Sequence, residues 1–300
     1  MDNVMLRVGV HVSIAGSIDK AVERAVEKGC DTFQIFSRNP RGWRYKALTD
    51  TEIREFIKKV ELSGIAPAVV HMPYLPNLAA PDDKVYNRSV ASLIEELRRC
   101  DSLQIPYLVT HLGSHRGYGK AKGFERIVNA INTAFNEVDN GVMLLLENTA
   151  GTKNSMGGTF EDIQHIIERI EHRERIGICF DTCHAFAAGY ELRTEKSLKD
   201  VIKHFDAVIG LEHLKLIHLN DSKGGLNSRL DRHEHIGLGY IGEDGFRTIL
   251  SEEHIKKLPM ILETPVDARR GDIENIAKVR ELASASNEQQ RINRDIIKIK

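Results

Sequence analysis

Short apolar runs alternate with longer stretches of helical period from one end of this chain to the other, and that alternation leaves few folds open. Eight runs have strand length: Val8 to His11, Thr32 to Phe36, Ala68 to His71, Tyr107 to His111, Val142 to Glu147, Gly177 to Asp181, Leu214 to His218 and Met260 to Glu263. Between them the apolar residues recur at three and four positions. Ser17 to Lys28 places Ala21, Val22, Ala25 and Val26 on one face and stops at Gly29, a suitable residue for a left-handed helix end. Thr49 and Glu52 predict a capping box ahead of the stripe Ile53, Phe56, Ile57 and Val60. Ile163, Ile166, Ile167 and Ile170 form a later stripe of the same kind. A strand followed by a helix, eight times over, predicts an α/β fold of the (β/α)8 TIM-barrel type. A single catalytic domain is expected over residues 1–284, with a polar, charge-rich tail over 285–300, frayed or helical.

The reactive residues fall where such a barrel would use them. Strand candidates three to eight each close on a metal-binding residue type: His71, His111, Glu147, Asp181, His218 and Glu263. The C-terminal strand ends of a barrel converge on one face, so these six would share one small volume. One histidine closing an apolar run is usually a hydrogen-bonded core residue, but six crowded imidazoles and carboxylates are costly without a compensating cation. His184 follows Asp181 by one helical turn, and Asp231 and His233 have a D-x-H spacing that aims both side chains the same way in an extended segment. Alone, that pair would read as a solvated loop.

Nine candidates, at three or four ligands per ion, require two ions and suit three. A mixed imidazole and carboxylate set favours Zn2+, with Mn2+ or Fe2+ as substitutes. Ion clusters of this kind typically hydrolyse phosphate esters, generating hydroxide and neutralising the phosphoryl and leaving oxygens. Neither a G-x-S-x-G elbow nor Walker spacing occurs in the chain. His11, Asn148 and Asn220 are expected to orient neighbours, and His235 and His254 to lie at the surface or behind the ligands.

Charge narrows the remaining classes. Lysine plus arginine number 42 and aspartate plus glutamate 43, so any nucleic-acid binding must use a local patch, to which bound cations would contribute. No apolar run is long enough to span a bilayer, and no signal-peptide core opens the chain. Cys30, Cys100, Cys179 and Cys183 are scattered, which suits free thiols in a reducing cytoplasm. Cys179 and Cys183 lack the C-x-x-C spacing and read as small buried residues.

The strings HVSIAG, HLGSH, LLLENTAG, FDTCHAFAAGY, HLNDSK, RLDRH and ILET occur in order on these elements, and from about Val8 to about Glu281 the chain resembles the endonuclease IV family of abasic-site endonucleases. That resemblance implies a trinuclear zinc site. His71 and His111 would hold one ion, with Glu147 bridging to a second. Asp181, His218 and Glu263 would complete the ligands of that second ion, and His184, Asp231 and His233 would hold the third. Glu147 and Glu263 carry the catalytic assignment as well. The implied reaction is hydrolysis 5′ to abasic sites in double-stranded DNA, leaving a 3′-hydroxyl and a 5′-deoxyribose phosphate, by a monomer without membrane attachment. Arg41 in SRNPRGW and Tyr74 in HMPYL occupy the places where the family inserts side chains into DNA. Met72, Leu112 and Leu238 depart from the family pattern at positions that supply no assigned ligand.

Two other classes compete. A xylose-isomerase-like sugar isomerase would also carry divalent metals on a barrel, but with fewer histidines. A non-catalytic DNA-binding module would have structural metals or none.

Overall fold

The structure, a computed structural model, describes residues 6–299, with side chains as far as Ala285. Eight parallel strands form the barrel: β1 (Arg7–Val10), β2 (Phe33–Ile35), β3 (Ala68–His71), β4 (Tyr107–His111), β5 (Met143–Glu147), β6 (Ile176–Asp181), β7 (Leu214–His218) and β10 (Pro259–Leu262). A two-stranded antiparallel ladder, β8 (Asp221–Ser222) with β9 (His233–Glu234), is inserted after β7. Register runs continuously from β2 through β7 to β10 and on to β1. Between β1 and β2 the closure is thinner. Asp31 N donates to Val8 O (2.9 Å), Val12 N donates to Gln34 O (2.8 Å), and His11 bridges to Gln34. Gly9 permits this approach, because a Cβ there would lie 1.6 Å from the Thr32 carbonyl oxygen.

Strand alternation sorts the side chains into two cores. Val69, Val109, Leu145, Cys179, Leu216 and Ile261 pack together inside the barrel, separate from the larger layer between strands and helices. Side chains two residues along a strand share a face, so His71, His111, Glu147, Asp181, His218 and Glu263 follow this plug in turn and point into the barrel mouth. The strand ends differ slightly from expectation: His11 and Glu263 each lie one residue beyond their strands.

The Thr49–Glu52 capping box is present, and the helix Asp50–Ser63 ends at Gly64 in the left-handed region. The first helix begins at Lys20 rather than Ser17, because residues 17–20 form a turn closed by Lys20 N donating to Ser17 O. A helix spanning Asp272–Ile299 crosses the expected boundary at residue 284. No helix among the described residues is long and apolar enough to cross a membrane.

One buried charge network anchors the loop after β2. Glu96, fully buried, accepts from Arg38 Nε (2.8 Å) and from Ser37, while Arg99 Nε donates to Ser37 Oγ (2.8 Å) and Arg99 Nη1 to Lys46 O (3.0 Å). Removing the carboxylate at the centre of this network would strand buried positive charge. Glu96→Ala is therefore expected to cost about 3–5 kcal/mol of folding stability, measured by urea unfolding; a loss below about 1 kcal/mol, the range of an exposed pair, would contradict it.

Candidate metal centre

Glu147 lies at the middle of the barrel mouth, fully buried, with both oxygens facing imidazoles. Oε2 is 3.1 Å from His71 Nε2 and 3.5 Å from His111 Nδ1, and Oε1 is 3.1 Å from His218 Nδ1 and 3.4 Å from His184 Nδ1. His218 Nδ1 also faces Glu263 Oε2 (3.5 Å) and Asp181 Oδ2 (3.9 Å). On the outer side, His184 Nε2 is 3.2 Å from Asp231 Oδ1, and His233 Nε2 is 3.6 Å from Asp181 Oδ2. The expected ligands thus fall into three sets, the ligand atoms of each within 4.8 Å of one another and the first two sharing Glu147: His71, His111 and Glu147; Glu147, Asp181, His218 and Glu263; His184, Asp231 and His233.

Local structure aims these groups. Asp181 caps the helix Thr182–Ala188, its Oδ1 accepting from His184 N (2.7 Å), and this turn brings His184 back over the site. Asn148 brackets Asp181, accepting from its N–H (2.7 Å) and donating to its carbonyl (3.0 Å). Asn220 donates to Asp181 Oδ2 (2.7 Å) and accepts from Glu263 N (2.8 Å), so one amide ties two strand ends together. His233 begins β9. The segment beyond it is cradled by the Asp221 carboxylate, which accepts from the N–H groups of Gly237, Gly239, Ile241 and Gly242.

Ring-nitrogen roles follow from neighbours that can only accept. His71 Nδ1 donates to Met72 O (2.7 Å), His184 Nδ1 to Asn148 O (2.9 Å), and His233 Nδ1 to Glu263 O (3.1 Å). In each neutral ring the other nitrogen then carries a lone pair. All three Nε2 atoms face carboxylates. A lone pair held against a carboxylate calls for a cation between them, either a proton or a metal ion.

The electrostatics agree. Burial would raise Glu147, but His111, His218 and His184 hold it well below the usual carboxylate range. Glu263 is brought to about 2 against burial by His218 and His71, and Asp231 to about 2 chiefly by its contact with His184. Burial lowers His184 and His218, yet Asp181, Asp231 and Glu147 lift the first, and Cys179, Glu263 and Glu147 lift the second, well above 6.5. His11 behaves oppositely, burial taking it down to about 4.

A cavity of about 450 Å3 opens over this cluster, lined by His11, Phe36, Tyr74, His111, His233 and Thr264 among others. His233 Nε2 and Thr264 Oγ1, both buried at its wall, have no hydrogen-bond partner among the described residues. Unpaired buried donors and acceptors are costly, and these two aim into a space that a ligand or ion can fill. The donor set therefore fits divalent metal ions. Cys183 also lies within reach of Asp181 and His233, but burial pushes its thiol up to about 12 and its Sγ faces Arg232 O, leaving the imidazoles as the better donors.

The lesion-contact candidates lie above the cluster. Tyr74, 70% exposed, stands edge-on to Phe36 at 5.0 Å, and Arg41 is exposed on the β2 loop. His235 is buried and bonded to Asp267 (3.0 Å) and Asn275 (3.0 Å), whereas His254 is exposed beside Glu252. Leu112 is buried against Gly157, where a Cβ would meet its Cδ1 at 2.4 Å, and Leu238 is exposed. Sequence reasoning passed over Gln34, which is fully buried and bonded to both Glu263 and His218. The available signal was a polar residue at an inward position of an apolar strand.

A buried histidine and carboxylate cluster at the C-terminal mouth of a (β/α)8 barrel defines a metal-dependent barrel enzyme, and residues 22–288 match the family model described as Xylose isomerase-like TIM barrel. Within that class, a probable endonuclease 4 of Methanoculleus marisnigri is 61% identical over 282 residues, covering 94% of this chain and 100% of that one. A probable endonuclease 4 of Methanosphaerula palustris is 56% identical, covering 93% and 99%. The crystal structure of endonuclease IV from Thermus thermophilus superposes with a TM-score of 0.80 at 38% identity, covering 94% of this chain and 99% of that one. The chain belongs to the endonuclease IV family.

Proposed function

We propose that this protein is a DNA-repair phosphodiesterase that cuts duplex DNA on the 5′ side of abasic sites, using three Zn2+ ions. The observation that carries the reading is the Glu147 carboxylate: Oε2 faces both imidazoles of the first ligand set, His71 and His111, while Oε1 faces His218 and His184 of the other two sets. His71, His111 and Glu147 would hold one ion; Glu147, Asp181, His218 and Glu263 a second; His184, Asp231 and His233 a third. Such ions supply a water nucleophile at neutral pH and positive charge for the phosphoryl and leaving oxygens. The chain's own part is to space the ligands, through Asn148, Asn220 and the helix cap at Asp181, and to keep the plug of apolar residues beneath them dry. Residues 1–284 form the catalytic unit in this reading and 285–300 an appendage. Arg41 and Tyr74 contact the lesion, and a monomer suffices because every assigned ligand comes from one chain.

Protein purified without chelator should contain more than one transition-metal ion per chain and incise a duplex with a single abasic analogue on its 5′ side. Chelator treatment should abolish the incision, and Zn2+ should restore it. Incision that survives complete metal removal would defeat the metal mechanism. Aldose–ketose isomerisation without any incision would favour the isomerase class instead.

A further inference from the structure

His71, His184 and His233 are each oriented by a backbone carbonyl, but the ring of His218 is held by a side chain, that of Gln34. Gln34 Nε2, the NH2 end of the amide, donates to the Glu263 carboxylate oxygen Oε1 at 2.7 Å. Its second proton faces His11 Nδ1 at 3.1 Å, and because an amide NH2 group can only donate, that ring nitrogen accepts. Both amide protons are thereby used. The amide oxygen must face His218 Nε2, at 2.9 Å, and that nitrogen must carry the ring's proton. Nδ1 is left to face Glu147, Glu263 and Asp181.

We infer that Gln34 is a positioning residue of the metal centre: it selects the His218 tautomer whose Nδ1 is free to bind an ion and holds the Glu263 carboxylate beside it. The inference rests on the metal reading above. Gln34 is fully buried, and both of its amide hydrogens have an identified acceptor. Partners that orient metal-binding groups in this way typically change metal affinity by about ten- to a hundredfold when lost.

The test challenges zinc-loaded full-length protein with graded concentrations of a zinc chelator, alongside nitrogen-15 NMR of the histidine rings. Gln34→Met keeps the volume and removes all three hydrogen bonds. Gln34→Glu keeps the acceptor for His218 Nε2–H but sets a carboxylate against Glu263. Both variants should release zinc at about ten- to a hundredfold lower chelator concentration than wild type. The ring signals should show His218 protonated at Nε2 in wild type and in Gln34→Glu, with that hydrogen-bonded signal lost in Gln34→Met. A role confined to packing would lower the melting temperature and leave zinc retention unchanged. Retention within twofold of wild type in either folded variant, or a wild-type His218 protonated only at Nδ1 when zinc is bound, would overturn the inference. If Gln34→Met does not fold, Gln34→Glu alone decides by the same criterion. A wild-type protein that holds no zinc brings down the metal reading and this inference together; a zinc-holding wild type matched by its variants brings down the inference alone.

Discussion

Glu147→Gln should reduce incision by roughly two to four orders of magnitude while leaving the fold intact, on the scale of losing one partner of a buried charge cluster. An amide has the shape of the carboxylate but not its charge, and one of its ends becomes a donor. Whichever way it turned, an NH2 group would face two imidazoles, either His71 with His111 or His184 with His218. Removing one partner of a fully buried charge cluster costs about 3–5 kcal/mol, and a loss of that size from the transition state corresponds to the stated range of rates. Metal analysis of the variant separates two routes to the same defect. Reduced metal content means that Glu147 holds the ions; full content with slow turnover means that its charge sets their reactivity. Wild-type incision would remove Glu147 from the centre of the site and with it the bridging assignment.

The centre of this site was legible because strand geometry has a period of two. Once an apolar run is assigned to the barrel, its last inward residue is known, and His71, His111, Glu147, Asp181 and His218 each close a strand two residues after a member of the interior plug. Glu263 lies one residue past β10 and still keeps that phase. His184, Asp231 and His233 were legible only as types and spacings, since their convergence depends on the helix cap at Asp181 and on the Asp221 cradle. Nothing in the D-x-H spacing shows that a carboxylate upstream of it will cradle the chain downstream. Gln34 was hidden for a different reason: its partners lie 184 and 229 residues away, and a lone polar residue in a strand carries no mark of what it meets. The Arg38–Glu96 pair, 58 residues apart, escaped notice in the same way. Periodicity reveals which face a side chain takes, while the partner on that face comes from tertiary closure.

Under the proposed function, that buried pair bears on how a lesion would be found. Metal chemistry does not distinguish an abasic phosphodiester from any other, so selectivity must come from the cost of extruding a nucleotide, a few kcal/mol when paired and least at a damaged site. Side chains that fill the vacated space lower the cost further, provided they are already in place. Arg41 sits on a loop whose root is tied down by Arg38 and Arg99, the latter donating to Lys46 O, and Tyr74 packs edge-on against Phe36 over the cavity. Partial burial raises the Tyr74 phenol, and Arg41 is close enough to pull the other way. Arg41→Ala with Tyr74→Ala should therefore weaken binding to abasic duplex by about ten- to a hundredfold, the range for losing a stacked aromatic partner. Intact duplex should be affected far less, and metal content should not change. Both affinities must be measured at one salt concentration, because phosphate contacts weaken steeply with salt. Equal losses on the two duplexes would mean that these residues grip only the backbone, and lesion selectivity would then have to come from the cavity walls.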